Sequence, residues 1–282
     1  MTGPGAVGTV IVGVDDTSYS WLAAQWAAAE AGVRGDVLRI VHAVGASDAE
    51  SEARVLDAAA GVLDDARVRI AAVRPTARID TVLARDDAAD ALLAAACDAD
   101  LIVVGTRGRG GFAGLLLGSV SLKVAAHADC PVVIARGHTE GALDGDVVVG
   151  VRDAGDEDAV RFALAEAQRR GSAVRLVHAW TPLVRSGLAM PQPPRLDDEQ
   201  RLHEQLLNHA ARPVAEYPAV HVDTELSIGP PAAALVEASA RAALVVLPRH
   251  PPRGLGLRLG SVVHAVLHHA NCPVAVVPTV PD

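Results

Sequence analysis

The sequence predicts two tandem α/β domains, each an open parallel sheet of five strands with helices on both faces. Three observations predict this class. The chain of 282 residues is written twice. Its apolar runs are near-continuous in Val, Ile and Leu, as in strands buried on both faces. Hydrophobic residues make up 50% of the chain but aromatic residues only 2%. The cores are therefore built from Ala, Val, Leu and Ile, which suits helices packed closely on a parallel sheet.

The elements follow in order. In the first half, the apolar runs predict strands at Thr9–Val14, Val37–Val44, Arg78–Leu83, Leu101–Gly105 and Pro131–Ala135. Between them, Ala-rich stretches predict helices at Ser20–Ala31, Ala49–Ala72, Asp86–Ala96 and Ser119–Ala128. The second half repeats the series, with strands at Val147–Val151, Ala173–Ala179, His221–Leu226, Leu244–Leu247 and Val274–Val277 and helices between. Four segment pairs carry the repeat. TVIVGVDD from Thr9 aligns with DVVVGVRD from Asp146, and VLRIVHAV from Val37 with AVRLVHAW from Ala173. Gly118-Ser119-Val120 aligns with Gly260-Ser261-Val262, and Ala128-Asp129-Cys130-Pro131-Val132 with Ala270-Asn271-Cys272-Pro273-Val274. The expected organisation is a loose tail over 1–8, a first domain over 9–137, a linker over 138–145 and a second domain over 146–282. A length of this size fits two domains at about 100–200 residues each.

Bulk properties exclude several classes. A net charge of −9 argues against general nucleic-acid binding, which wants a basic surface. Cys97, Cys130 and Cys272 stand far apart, form no CxxC pair and no disulfide framework, and suggest a reducing cytoplasm. No apolar stretch is long enough to span a membrane. The opening MTGPGAVG lacks the layout of a signal peptide.

The most informative segment is GTRGRGGFAGLLLGS, Gly105 to Ser119. A buried strand opens into a glycine-rich loop that ends at a helix start. Glycine lets backbone approach an anion, and a helix N-terminus adds free N–H donors and a favourable dipole. Arg107 and Arg109 add positive charge. In a parallel sheet, ligands bind beyond the carboxyl ends of the strands where strand order reverses. Gly105 and Asp15 sit at such ends.

These motifs resemble those of universal stress protein domains, and the whole chain resembles a tandem member of that family. Its nucleotide-binding members carry G-x2-G-x9-G-[ST], met here at Gly105, Gly108, Gly118 and Ser119, and an early Val-Gly-x-Asp, met at Val12-Gly13-Val14-Asp15. The resemblance implies an adenine-nucleotide alpha-hydrolase-like fold, binding of ATP, AMP or another adenine nucleotide, and a role in stress survival or dormancy. It also implies an intramolecular pseudo-dimer of the two domains with their last strands close together, or a homodimer. Carried over by position, Val14 and Asp15 border the adenosine, and Ala43, after His42, lines the adenine pocket through its backbone. Thr106, Arg107 and Gly108 border the phosphates, and Gly118, Ser119 and Val120 offer them N–H groups. Mg²⁺ would be held by the phosphates. Asp16 stands where the family often has Gly, a second carboxylate that must point outward to spare phosphate binding.

The second half departs further. Arg152 takes the Asp15 position, Leu247 that of Gly105 and His250 that of Gly108. Pro248, Pro251 and Pro252 remove donors from this loop. These changes should close or reshape the second pocket, leaving Arg249, Arg253, Arg258, Gly260 and Ser261 as a degenerate anion site.

Competing readings stay open. The glycine loop could serve packing alone. Gly108 to Ala113 fits GxGxxA but follows the fourth strand of its unit, and no GxxxxGK[ST] is present. His264 and His268 stand four apart on a helix with no third ligand evident. Ser119 suits a helix N-cap better than a nucleophile. Cys130 and Cys272 are expected to be buried and inert. Lys123 reaches phosphate or solvent. No residue set forces catalysis. The rivals to a nucleotide-binding regulator are a slow ATPase or autokinase, a cAMP sink and a ligand-free scaffold.

Overall fold

The computed structural model describes residues 7–45, 52–108, 116–137, 145–182, 196–250 and 259–279. The expected linker and tail, together with Arg109, Arg253, Arg258, Pro251, Pro252 and the 109–113 part of the GxGxxA match, fall wholly or mostly outside these residues. The chain divides into two compact units, Met1–Gly141 and Ala142–Asp282.

In the first unit, β1 (Thr9–Gly13), β2 (Val37–Ala43), β3 (Arg78–Ala84), β4 (Leu101–Gly105) and β5 (Val132–Ala135) alternate with α1 (Ser18–Arg34), α2 (Glu52–Val73), α3 (Ala88–Ala95) and α4 (Ser119–His127). The strands are parallel in the order β3-β2-β1-β4-β5. Val10, Ile11, Val12, Ile102 and Val103 are wholly buried, as near-continuous apolar strands covered on both faces require. Strand order reverses between β1 and β4, which opens a crevice beyond their carboxyl ends.

The second unit repeats the series. It contains β6 (Asp146–Gly150), α5 (Glu157–Arg170), β7 (Val174–Trp180), α6 (Leu196–Ala210), β8 (Val222–Ile228), α7 (Pro231–Ala238), β9 (Ala242–Arg249), α8 (Ser261–His269) and β10 (Val274–Pro278). The order is β10-β9-β6-β7-β8, again parallel. A 3₁₀ turn, Ala154–Asp156, precedes α5.

Among the elements whose bounds differ from expectation, α1, α3 and β9 do so for local reasons. Helix α1 runs from Ser18 to Arg34 rather than from Ser20 to Ala31. Thr17 caps its start by accepting from Ser20 N, and Gly35 ends it with φ +74°, the left-handed conformation that favours glycine. Helix α3 starts at Ala88 rather than Asp86 because the Asp87 side chain accepts from Ala89 N as N-cap. Strand β9 extends past Leu247 through Pro248 and Arg249, so Pro248 belongs to a strand and not to the loop. Its pairing with β6 ends at Val246, so Pro248 forfeits no ladder bond on that side while it still faces Val277 of β10.

No helix among the described residues is long and apolar enough to cross a membrane.

Candidate functional site

The crevice of the first unit is a cleft of about 490 Å³. Val14, Asp15, Ala43, Gly105, Arg107, Gly108, Gly118, Ser119 and Val120 all line it. Of the residues expected there, only Thr106 is absent from its wall. Its carbonyl instead accepts the Gly118 amide at 2.8 Å and so closes the loop at the start of α4. Asp16 is exposed and Asp15 is half-buried, which fits alternation of side chains at a strand end.

Each wall residue is positioned by its neighbours. Thr17 holds Asp15 in place: its amide and hydroxyl both donate to Asp15 Oδ1, at 2.9 and 2.5 Å. Ser20 Oγ accepts the Asp15 amide at 3.1 Å. The Arg107 guanidinium lies 4.5 Å over the Tyr19 ring and donates to Tyr19 Oη. Its Nε is buried and has no hydrogen-bond partner among the described residues. A buried donor of this kind is costly unless something accepts from it.

Helix α4 opens at the same wall. Its N-cap, Gly118, has no side chain to cap the first turn, and that turn holds no acidic residue. The amides of the first turn therefore keep free N–H donors at the positive end of the helix dipole. Lys123 belongs elsewhere: its Nζ lies 2.8 Å from Asp90 Oδ2 and 3.6 Å from Asp87 Oδ1. The hydrogen bond that Lys123 donates to Asp90 raises its pKa above the ordinary value.

Sequence reasoning passed over His42. It is buried, lines the cleft, and its Nδ1 stands 2.7 Å from the Val14 carbonyl. Nδ1 therefore donates, and the ring ties the end of β2 to the segment after β1. The repeat itself was the available signal, because His178 makes the same bond to Val151 O at 2.8 Å in the second unit.

The second unit keeps a cleft of about 480 Å³. The loss of two glycines has reshaped it without closing it. Leu247 fits because it lies against Gly150. A Cβ on Gly150 would stand 2.9 Å from both Leu247 and Leu235 methyl carbons, so the missing side chain in β6 makes the room. Arg249, Gly260 and Ser261 line this cleft, as do Arg152, His178 and His250. Helix α8 is uncapped at Gly260, as α4 is at Gly118.

His264 and His268 lie with ring centroids 4.5 Å apart, and no third metal-ligating group joins them among the described residues. Three such groups converge elsewhere, at Asp153, Asp156 and His250. Cys272 is buried as expected. Cys130 is only half-buried, because it sits in the bend between α4 and β5 and not inside the strand.

Comparison with known proteins agrees with the repeat. The family model described as the universal stress protein family matches residues 7–136 and again 145–278. A universal stress protein of Mycobacterium tuberculosis strain H37Rv is 35% identical over 292 residues, covering 95% of this chain and 96% of the relative. Another from that strain is 33% identical over 293 residues, covering 95% of each. The crystal structure of a universal stress protein from Archaeoglobus fulgidus has the same fold, with a TM-score of 0.72 at 16% identity over 96% of this chain and 98% of the other. With both halves matched by the family model and relatives spanning nearly the whole length, the chain belongs to the universal stress protein family.

Proposed function

We propose that the first unit binds ATP, AMP or another adenine nucleotide in the cleft beyond β1 and β4, and that the protein is a cytoplasmic nucleotide-responsive regulator of stress survival or dormancy. One observation carries the reading. Arg107 Nε is a buried donor without an acceptor among the described residues, and Arg107 lines the same cleft as the uncapped start of α4. A guanidinium and helix N-terminal amides together suit phosphate.

The rest of the wall divides by chemistry. Arg107, Gly108, Gly118, Ser119 and Val120 would hold the phosphates. Val14, Asp15 and Ala43 would hold the adenosine, with the Asp15 carboxylate accepting from ribose or base hydroxyl and amino groups. Mg²⁺ would be held mainly by the phosphates themselves. The second cleft would bind ATP poorly, since Arg152 and His250 replace the carboxylate and the glycine that shape the first.

The test is thermal unfolding of the full chain with and without ATP–Mg²⁺, for the wild type and Gly118→Val. A Cβ at Gly118 would meet its nearest neighbour, Thr106 O, at 3.5 Å, so the backbone accommodates a side chain there. A ligand that binds only the folded state stabilises it by about 2.7 kcal/mol at a hundred times its Kd. The expected result is a rise in Tm for the wild type and none for the variant. No rise in the wild type at millimolar ATP would sink the proposal and favour a ligand-free scaffold.

A further inference from the structure

The second unit carries a group of side chains that the first lacks. In the first unit, a Cβ at Gly108 would lie 2.8 Å from Asp15 Oδ2. A side chain at that position would therefore press on the Asp15 carboxylate and make it shift. The second unit has His250 in place of Gly108 and Arg152 in place of Asp15, and it recovers a carboxylate from a different position. Asp156 stands where Ser20 does: Ser20 Oγ accepts the Asp15 amide at 3.1 Å, and Asp156 Oδ2 accepts the Arg152 amide at 2.6 Å. Together the three exchanges bring an imidazole and a buried carboxylate face to face.

Asp156 is 0% exposed. Its Oδ2 is satisfied by the amides of Arg152 and Asp153. Its Oδ1 stands 2.9 Å from His250 Nε2, and neither atom has another hydrogen-bond partner among the described residues. A buried carboxylate oxygen must be met by a donor or a cation. Two donors that share a cation at about 2.1 Å stand roughly 3.0–3.4 Å apart, so this separation is close to an edge of a coordination shell. Asp153 supplies the second carboxylate and the third ligand, and one ligand atom from each of the three residues lies within 4.8 Å of the others. The competing cation is Arg152, whose Nε is 3.7 Å from Asp153 Oδ2 on a side chain that is 53% exposed; a metal would replace that loose contact.

We infer that Asp153, Asp156 and His250 form a binding site for a divalent transition-metal ion. One imidazole and two carboxylates suit zinc or manganese, while Mg²⁺ prefers an all-oxygen shell. Because His250 also lines the second cleft, the ion would sit at the rim of that cleft, separate from any metal carried on nucleotide phosphates.

The site is tested by titrating Zn²⁺ into the untagged, chelator-treated, nucleotide-free full chain by calorimetry, with Mg²⁺ as the comparison. Two variants, His250→Gln and Asp153→Asn, are measured alongside, each with its circular dichroism spectrum. Neither removes the Asp156 bonds that hold the turn before α5. The expected result is one Zn²⁺ per chain, little heat with Mg²⁺, and at least about a tenfold loss of zinc affinity in both variants. Absence of zinc binding to the folded wild type would overturn the site and leave an Asp156–His250 ion pair. Retention of wild-type affinity in either variant would also overturn it and move the ion to other histidines such as His264 and His268.

Discussion

Gly105 and Gly118 look alike in the sequence and do different work. A Cβ at Gly105 would stand 2.6 Å from the Tyr19 carbonyl oxygen, where the end of β4 meets the start of α1. Only glycine fits against that backbone. Gly118 has ordinary room and an ordinary extended backbone, φ −82°. Gly105→Ala is therefore expected to lower stability by about 1–3 kcal/mol, the usual cost of overpacking, even without any ligand. Denaturant unfolding checks this, and an unchanged midpoint would contradict the close approach. The motif spacing located the cleft wall well, since the positions from Val14 to Val120 converge there apart from Thr106. It could not separate packing glycines from open ones, because that depends on what lies across from each Cα. Nor did it reveal Asp156, whose approach to His250 rests on a 3₁₀ turn, Ala154–Asp156, that has no counterpart before α1.

At the scale of elements, the two units repeat their internal fastenings as well as their strands. Glu30 pairs with Arg34 within α1, and Glu166 with Arg170 within α5, with both carboxylates buried. His42 and His178 hold equivalent carbonyls. The second unit adds a link, since His178 Nε2 lies 2.8 Å from His203 Nδ1 on α6, and the His203 ring stacks on Trp180 at 4.3 Å between centroids. With Nδ1 of His178 donating to Val151 O, its Nε2 accepts from His203 Nδ1–H. Burial lowers the His203 pKa, His178 adds to that, and Glu199 opposes it. The unfolded chain then binds more protons than the folded one below the ordinary histidine pKa of about 6.5. The contribution of His203 is accordingly intact above that pH and lost as pH falls towards the lowered folded value. Tm should drop between pH 7.5 and 5.5, and His203→Gln should flatten that drop; an identical pH profile in the variant would refute the assignment. The strands were legible from their Val/Ile/Leu runs and the repeat. Their ends, and those of the helices, were less so. Thr17, Gly35 and Asp87 set the ends of α1 and α3 by single hydrogen bonds or a single φ, which a pattern of hydrophobic residues does not register.

For the whole molecule, repetition with divergence implies unequal halves. The sheet order, the buried Glu–Arg pairs, the histidine fastenings and the uncapped last helices are common to both units. The cleft rims differ: Asp15, Gly105 and Gly108 in one, and Arg152, Leu247 and His250 in the other. An uncapped helix alone is thus shared by both clefts and does not distinguish them. The carboxylate and the glycine opposite it do. Calorimetry with ATP–Mg²⁺ should accordingly give one nucleotide per chain. Gly118→Val should abolish that binding, whereas Gly260→Val should leave stoichiometry and affinity unchanged, since a Cβ at Gly260 meets nothing within 4 Å among the described residues and the second cleft is not the occupied one. Two nucleotides bound per chain with equal affinity would show that the shared helix start, and not the diverged rim, decides binding. A loss in Gly260→Val comparable to that in Gly118→Val would point the same way. One nucleotide lost only in the first-unit variant would instead tie selectivity to the diverged rim, where an added side chain at Gly108 would displace the Asp15 carboxylate.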